Sequence, residues 1–201
     1  LDKIREVLTP CDALLLGPGL GCSEEVEQVL AHLLPSLTIP LVLDADGLNN
    51  FAHLAIPLPT SSIITPHAGE LSRLLKVSIS SLQEDRMKAA KEGALRFQCI
   101  HVFKGANTLI AQPNGQVWIN PTGNPSLARG GSGDLLAGLM AGLMAQKLPV
   151  LASALLGVYW HGLAADLAVK EQSEVTLTLQ EILQNLPKAY QWLMKGISPL
   201  A

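Results

Sequence analysis

The chain has 201 residues, of which 48% are hydrophobic and 15% charged, with a formal net charge of −3. That length allows one sizeable core and one domain, and the composition is too apolar for a disordered chain. Basic residues are scattered singly with no basic stripe, which argues against nucleic acid as a partner.

The chain opens with Leu1 inside a segment of helical character, KIREVL, and is expected to be an N-terminally truncated fragment of a longer chain. DALLLG (12–17) is an apolar run closed by glycine, which reads as a buried strand. GPGLG follows, then SEEVEQVLAHLL, a helix with Ser23 as N-cap and Glu24 and Glu25 in its first turn. IPLVLDAD (39–46) is a second buried strand, closed by Asp46-Gly47. SSIITP (61–66) is a third, followed by a helix from about Gly69 to Leu75. One polar amphipathic helix is expected over about 82–97, and CIHVFKG (99–105) is the fourth strand. TLIAQ, the turn Pro113-Asn114-Gly115 and QVWIN make an antiparallel hairpin. The loop PTGNPSLARGGSG leads to a helix over Asp134–Lys147, and a second apolar helix covers about Leu151–Val169. Thr178 and Glu181 have capping-box spacing ahead of an amphipathic run to about Lys195.

The most apolar stretch runs from Leu135 to Trp160. Gln146-Lys147 and Pro149 divide it into pieces too short to span a bilayer, so it reads as buried helices and not as a membrane segment. The cysteines, Cys11, Cys22 and Cys99, are odd in number and far apart. They fit neither a disulfide framework nor a zinc pattern, and a reducing cytoplasm is the expected location.

Strands alternating with helices predict an α/β fold with a parallel sheet and helices on both faces. Ligands of such sheets bind outside the carboxyl ends of the strands. The turns there are GPGLG, DADGLN, TPHAGE and KGANT, and they hold most of the unusual polar and glycine residues. One site at that edge is the expectation.

Each motif has two readings from chemistry alone. GPGLG has the wrong spacing for a dinucleotide fingerprint and no Walker lysine. Its glycines let a ligand approach the backbone, or only form a tight turn. Asp44 and Asp46 are two apart and are expected on one side of the strand end, holding a ligand or hydrated metal, or forming an Asp-Gly turn. His67 and Glu70 open a helix after a strand and are structural or functional. Lys104 offers a point charge to a phosphate or marks a solvated strand end. Asn107 and Thr108 line a nucleotide or begin the hairpin.

GGSGD (130–134) is the sharpest signal, because a glycine-rich loop opening a helix presents free N–H groups and the positive dipole end to an anion. Asp134 is then either an N-cap or a general base beside a transferring phosphoryl group. The helix after it has a wide apolar face (Leu135, Leu136, Leu139, Met140, Leu143, Met144), with Ala137, Gly138, Ala141 and Gly142 on the remainder. It is expected to be packed on nearly all sides.

GPGLG, LVLDADGLN, ITPHAGELSRLL, VFKGANTLIA, INPTGNP and GGSGDLLAGLMAG, in this order, resemble the bacterial NAD(P)H-hydrate dehydratases, which are carbohydrate-kinase-related, ribokinase-like domains. The resemblance covers essentially the whole chain. It implies one three-layer ribokinase-like domain over 1–201: a mostly parallel sheet with helices on both faces and a β-hairpin, lacking N-terminal strands. It implies a repair lyase that dehydrates the S epimer of NADH hydrate or NADPH hydrate with ADP, in place of ATP, and Mg²⁺, giving AMP and phosphate. By the same resemblance Asp134 deprotonates the hydrate hydroxyl, and Gly131, Ser132 and Gly133 form the anion hole. Lys104, Gly105, Ala106, Asn107 and Thr108, with Gly133, bind the nucleotide. Gly19, Gly21 and His67 contact the hydrate together with Asp134, and Asp44, Asp46, Asn124 and Arg129 are further candidates. Metal ligands are not assigned. The resemblance also implies a homo-oligomer and a fused or separate NAD(P)H-hydrate epimerase as partner. The family often has Gly-Met-Ala-Thr where this chain has Ser126-Leu127-Ala128-Arg129, so Arg129 adds a phosphate contact or alters nucleotide choice. Two other readings fit the same loop: a small-molecule kinase of the superfamily, and a non-catalytic adenine-nucleotide binder.

Overall fold

The computed structural model describes residues 2–170 and 172–196. Helix α1 (Asp2–Leu8) precedes strand β1 (Leu14–Leu16). The remaining strands are β2 (Leu41–Leu43), β3 (Ser62–Ile64), β4 (Ile100–Phe103), β5 (Leu109–Ala111) and β6 (Val117–Ile119). Among the described residues these six strands form one sheet in the order β1-β2-β3-β4-β5-β6. Strands β1 to β4 are parallel; β5 and β6 are the expected antiparallel hairpin, added to the sheet through β4.

Parallel strands that always step in one direction need right-handed crossovers, and those crossovers all fall on one face. Helices α2 (Glu24–Leu33), α3 (Ala45–Phe51), α4 (Ala68–Leu75), α5 (Ile79–Glu84) and α6 (Arg86–Phe97) therefore share a side of the sheet. They pack on Leu41, Leu43, Ile64, Phe103, Leu109 and Ala111. The opposite pleat, with Val42, Ile63, Val102 and Ile110, packs against α7 (Ser132–Ala145) and α8 (Val150–Ala168). Helix α9 (Leu179–Lys195) covers α8 from outside. The result is a three-layer α/β fold whose central strands are buried on both faces, which is why they read as unbroken apolar runs.

Three local expectations change. The helix expected over 82–97 is two helices, broken at Asp85, whose φ is −142° and ψ 82°. The Asp85 carboxylate accepts a hydrogen bond from the Lys88 N–H (2.8 Å), so a cap inside the polar run outweighs continued helix periodicity. Helix α7 is not packed all round: Asp134, Gly138 and Gly142 face outward. Helix α8, at 19 residues, is long and apolar enough by length and composition to cross a membrane. It lies instead between α7, α9 and the sheet, with Ala154, Val158, Leu163 and Ala164 buried there.

Gly17 is where the sheet edge is built most tightly. Its φ is +133°, and a Cβ placed on it would sit 1.8 Å from the Asp44 carbonyl oxygen. Gly17→Ala is expected to cost roughly 3 kcal/mol, because both backbone strain and a backbone clash must be relieved. Gly19→Ala, with a positive φ but nothing within 4 Å of the new methyl, should cost only about 1–2 kcal/mol. Urea midpoints of the two variants check the difference, and equal losses would mean that the close approach at Gly17 contributes nothing.

Candidate functional site

The carboxyl ends of β1 to β4 meet at one edge, and a buried ion pair joins two of them. Lys104, just after β4, places its Nζ 2.7 Å from Asp44 Oδ1, just after β2, and 3.7 Å from Glu70 Oε2 in the first turn of α4. Asp44 is 1% exposed and Lys104 18%. Isolating either charge there would be costly, so each is held by the other. An ammonium has three donors, and the carboxylates leave Lys104 a donor for the cleft that it lines.

Asp44 and Asp46 do not act as a pair. The chain turns into α3 at Ala45, which breaks the strand alternation on which the shared-side expectation rested. Asp46 instead accepts from the Gly21 N–H (2.9 Å), and Asn50 donates to the Gly21 carbonyl (2.8 Å). These bonds tie the GPGLG loop to α3, and Gly19 and Gly21 keep open space where side chains would stand.

His67 is the N-cap of α4. Its Nδ1 accepts from the Gly69 N–H (2.9 Å), while the Glu70 carboxylate accepts from the His67 N–H (2.8 Å). This capping box leaves Nε2 to carry the ring proton, 3.4 Å from Glu70 Oε1.

A cleft of about 800 Å³ opens between the turn after β4 and the loop after β6. Asn120 starts that loop by donating its N–H to the Thr108 carbonyl (2.9 Å), so the hairpin brings the two walls together. Of the sequence candidates, His67, Lys104, Gly105, Ala106, Asn107, Thr108, Asn124, Arg129, Ser132 and Gly133 line the cleft. Gly131 lies between the lining residues Gly130 and Ser132. Asp134 follows Gly133 as the third residue of α7, and Asp44 sits behind Lys104. Gly19, Gly21 and Asp46 form the neighbouring loop and do not line the cleft.

The start of α7 has the character of an anion site. Gly131 is its N-cap with φ +84° and no side-chain cap, so Asp134 is not the N-cap. The N–H groups of Gly133 and Asp134 find no acceptor among the described residues. A Cβ on Gly133 would lie 3.3 Å from Lys104 Nζ, so cation and helix start face the same space. Unpartnered N–H groups, the helix dipole and an ammonium together favour a phosphate. The Asp134 side chain beside them is exposed and unpaired among the described residues. Arg129 is held by the Ser126 and Glu174 carbonyls, the latter at 3.1 Å from Nη2. No group of three or more His, Cys, Asp or Glu side chains able to hold a metal gathers among the described residues.

Sequence reading missed the residues that support these walls. Arg86 donates to the Ala106 carbonyl and stacks over Phe103 (4.9 Å), bracing the turn after β4. His161 lines the cleft with its Nε2 3.4 Å from the Ser132 hydroxyl, and burial pushes its pKa down to about 4, so it is neutral. Asp166, also on α8, holds the loop after β6. For His161 and Asp166 the available signal was polar side chains inside a mostly apolar helix, and for Arg86, on the polar α6, there was none.

A family model described as NAD(P)H-hydrate dehydratase matches residues 2–188. The bifunctional NAD(P)H-hydrate repair enzyme of Moorella thermoacetica is 41% identical over 190 residues, covering 93% of this chain and 36% of that one. The ADP-dependent (S)-NAD(P)H-hydrate dehydratase of Bacillus subtilis is 38% identical over 179 residues, covering 89% of this chain and 64% of that one. Among solved structures, an ADP/ATP-dependent NAD(P)H-hydrate dehydratase from Bacillus subtilis, co-crystallised with ATP and Mg²⁺ and soaked with CoA, superposes with a TM-score of 0.80 at 38% identity. That match covers 90% of this chain and 66% of that one. The fold is ribokinase-like.

Proposed function

The chain belongs to the NAD(P)H-hydrate dehydratase family, and on that premise we propose that it dehydrates the S epimer of NADH hydrate and NADPH hydrate, using ADP in preference to ATP. The observation that carries the reading is the start of α7: two N–H groups without acceptors beside Lys104, with the exposed Asp134 next to them. The relatives' names supply the substrate class and the nucleotide.

In this reading ADP lies in the cleft against 104–108, and its terminal phosphate meets the Gly133 and Asp134 N–H groups. Asp134 takes the proton of the hydrate hydroxyl, whose oxygen attacks the β-phosphorus as the bond to AMP breaks. The C–O bond to the new phosphate then breaks as a proton leaves the neighbouring ring carbon. The products are NAD(P)H, AMP and phosphate. A magnesium ion arriving with the nucleotide would offset phosphate charge, and no group of three or more His, Cys, Asp or Glu side chains gathers among the described residues to cage it. Lys104 offsets part of the same charge while Asp44 keeps it in position. An epimerase, fused as in the relatives named bifunctional or separate, would supply the S epimer. A cytoplasmic place of action suits the three free cysteines.

The test uses the intact protein with NADH hydrate, Mg²⁺ and either ADP or ATP. Recovery of NADH absorbance with stoichiometric AMP and phosphate is expected with ADP. A stable phosphorylated product would favour the small-molecule kinase reading, and faster recovery with ATP would reverse the nucleotide preference.

A further inference from the structure

We propose that Asp166 is a positioning residue of the nucleotide wall, fixing the loop after β6 so that Gly123 and Asn124 face the bound adenine nucleotide. The proposal rests on the nucleotide reading above and adds to it a residue that does not itself touch the cleft.

Both oxygens of Asp166 serve one loop. Oδ2 accepts from the Gly123 N–H (2.8 Å) and Oδ1 from Asn124 Nδ2 (2.9 Å). That second bond fixes the orientation of the Asn124 amide, because only its nitrogen can donate to a carboxylate. The amide oxygen is thereby turned to accept from the Ser126 N–H (3.1 Å) and hydroxyl (2.5 Å). One carboxylate thus orders the stretch from Gly123 to Ser126, which has no strand or helix longer than a single turn to order it otherwise.

The loop also lies directly on α8. Thr122 Oγ1 donates to the Tyr159 carbonyl (3.0 Å). A Cβ on Gly162 would sit 2.3 Å from Thr122 Oγ1 and 2.9 Å from the Gly123 nitrogen. Helix α8 is mostly apolar, and a half-buried carboxylate there needs charge-assisted bonds to offset its lost hydration. The loop is the partner that supplies them.

A purely structural anchor would affect folding, or all kinetic constants alike. A positioning residue for the nucleotide wall should affect nucleotide binding alone. Calorimetric ADP binding, hydrate KM and thermal unfolding are to be measured on the intact protein and on Asp166→Ala, Asp166→Asn and Gly162→Ala. Asp166→Ala is expected to weaken ADP about tenfold, with hydrate KM within about twofold of wild type. Asp166→Asn keeps one acceptor oxygen and should fall between the two, and it carries the test if the alanine variant does not fold. Gly162→Ala should weaken ADP with the carboxylate intact, because it displaces the loop by sterics. Unchanged ADP affinity in Asp166→Asn and Asp166→Ala, or ADP affinity and hydrate KM worsening by the same factor, overturns the role of Asp166. A wild-type protein that binds no ADP overturns the nucleotide reading itself.

Discussion

Asp134→Asn is expected to lower kcat by about a thousandfold while ADP affinity stays within a few-fold of wild type. Asp134 is the third residue of α7, exposed, and its side chain has no hydrogen-bond partner among the described residues. A carboxylate engaged in capping or an ion pair would be spent on structure, as Asp44 is on Lys104. Asparagine keeps the size and the helix position but cannot take a proton. The N–H groups of Gly133 and Asp134 remain, so phosphate binding remains. Loss of a first-turn carboxylate should cost the helix only about 0.5 kcal/mol. Steady-state kinetics with calorimetric ADP binding separate the two contributions. A variant with normal kcat would remove Asp134 from proton transfer, and one with normal kcat but much weaker ADP would make it a binding residue.

How far the sequence could be read depended on how local the deciding contact is. Strands β2 to β4 were legible because burial on both faces leaves an unbroken apolar run closed by a polar residue, whereas β1 carries the same kind of run but is the sheet edge and only half-buried, against the expectation of a buried strand. The hairpin was legible from Pro113-Asn114-Gly115 between two short β-prone runs. The same reasoning failed at Asp44 and Asp46, where strand periodicity was carried one residue too far. It failed again at Asp85, where a cap beats a continuous amphipathic pattern. In α7 the small residues suggest contacts on every side, yet nothing stands within 4 Å of a Cβ built on Gly138 or Gly142. At the site, the turns that line the cleft are contiguous motifs and could be found. Arg86, His161 and Asp166 act across 20, 29 and 42–43 residues of sequence. No spacing rule covers such distances. Only the packing of α6 under β4, and of α8 against α7 and the loop after β6, brings them to the walls.

Two buried histidines should make the fold acid-sensitive well above the carboxylate range. His101 lies between β4 and α6: its Nδ1–H donates to the Ala90 carbonyl (2.9 Å), and its Nε2 is buried without a partner. Burial pushes its pKa down to about 4, against a smaller upward pull from the Ala90 carbonyl. His161 is also pushed down to about 4 by burial. In the unfolded chain both titrate near 6.5. Between pH ~6.5 and ~4 the unfolded state therefore binds protons that the folded state refuses, and stability falls as pH falls. Each histidine contributes on the order of 3 kcal/mol to that loss, comparable together with the whole stability of a typical domain. Urea midpoints at pH 7, 5.5 and 4.5 should drop steeply. His101→Gln can still donate to the Ala90 carbonyl but has no ionisable ring. Its stability at neutral pH should be lower, because the side chain fits less well under Gly93, whose added Cβ would lie 2.6 Å from the His101 ring. Its slope against pH should be shallower by about one proton. An unchanged slope would place the acid sensitivity elsewhere, and a flat wild-type profile between pH 7 and 5 would mean that both rings titrate normally in the folded chain.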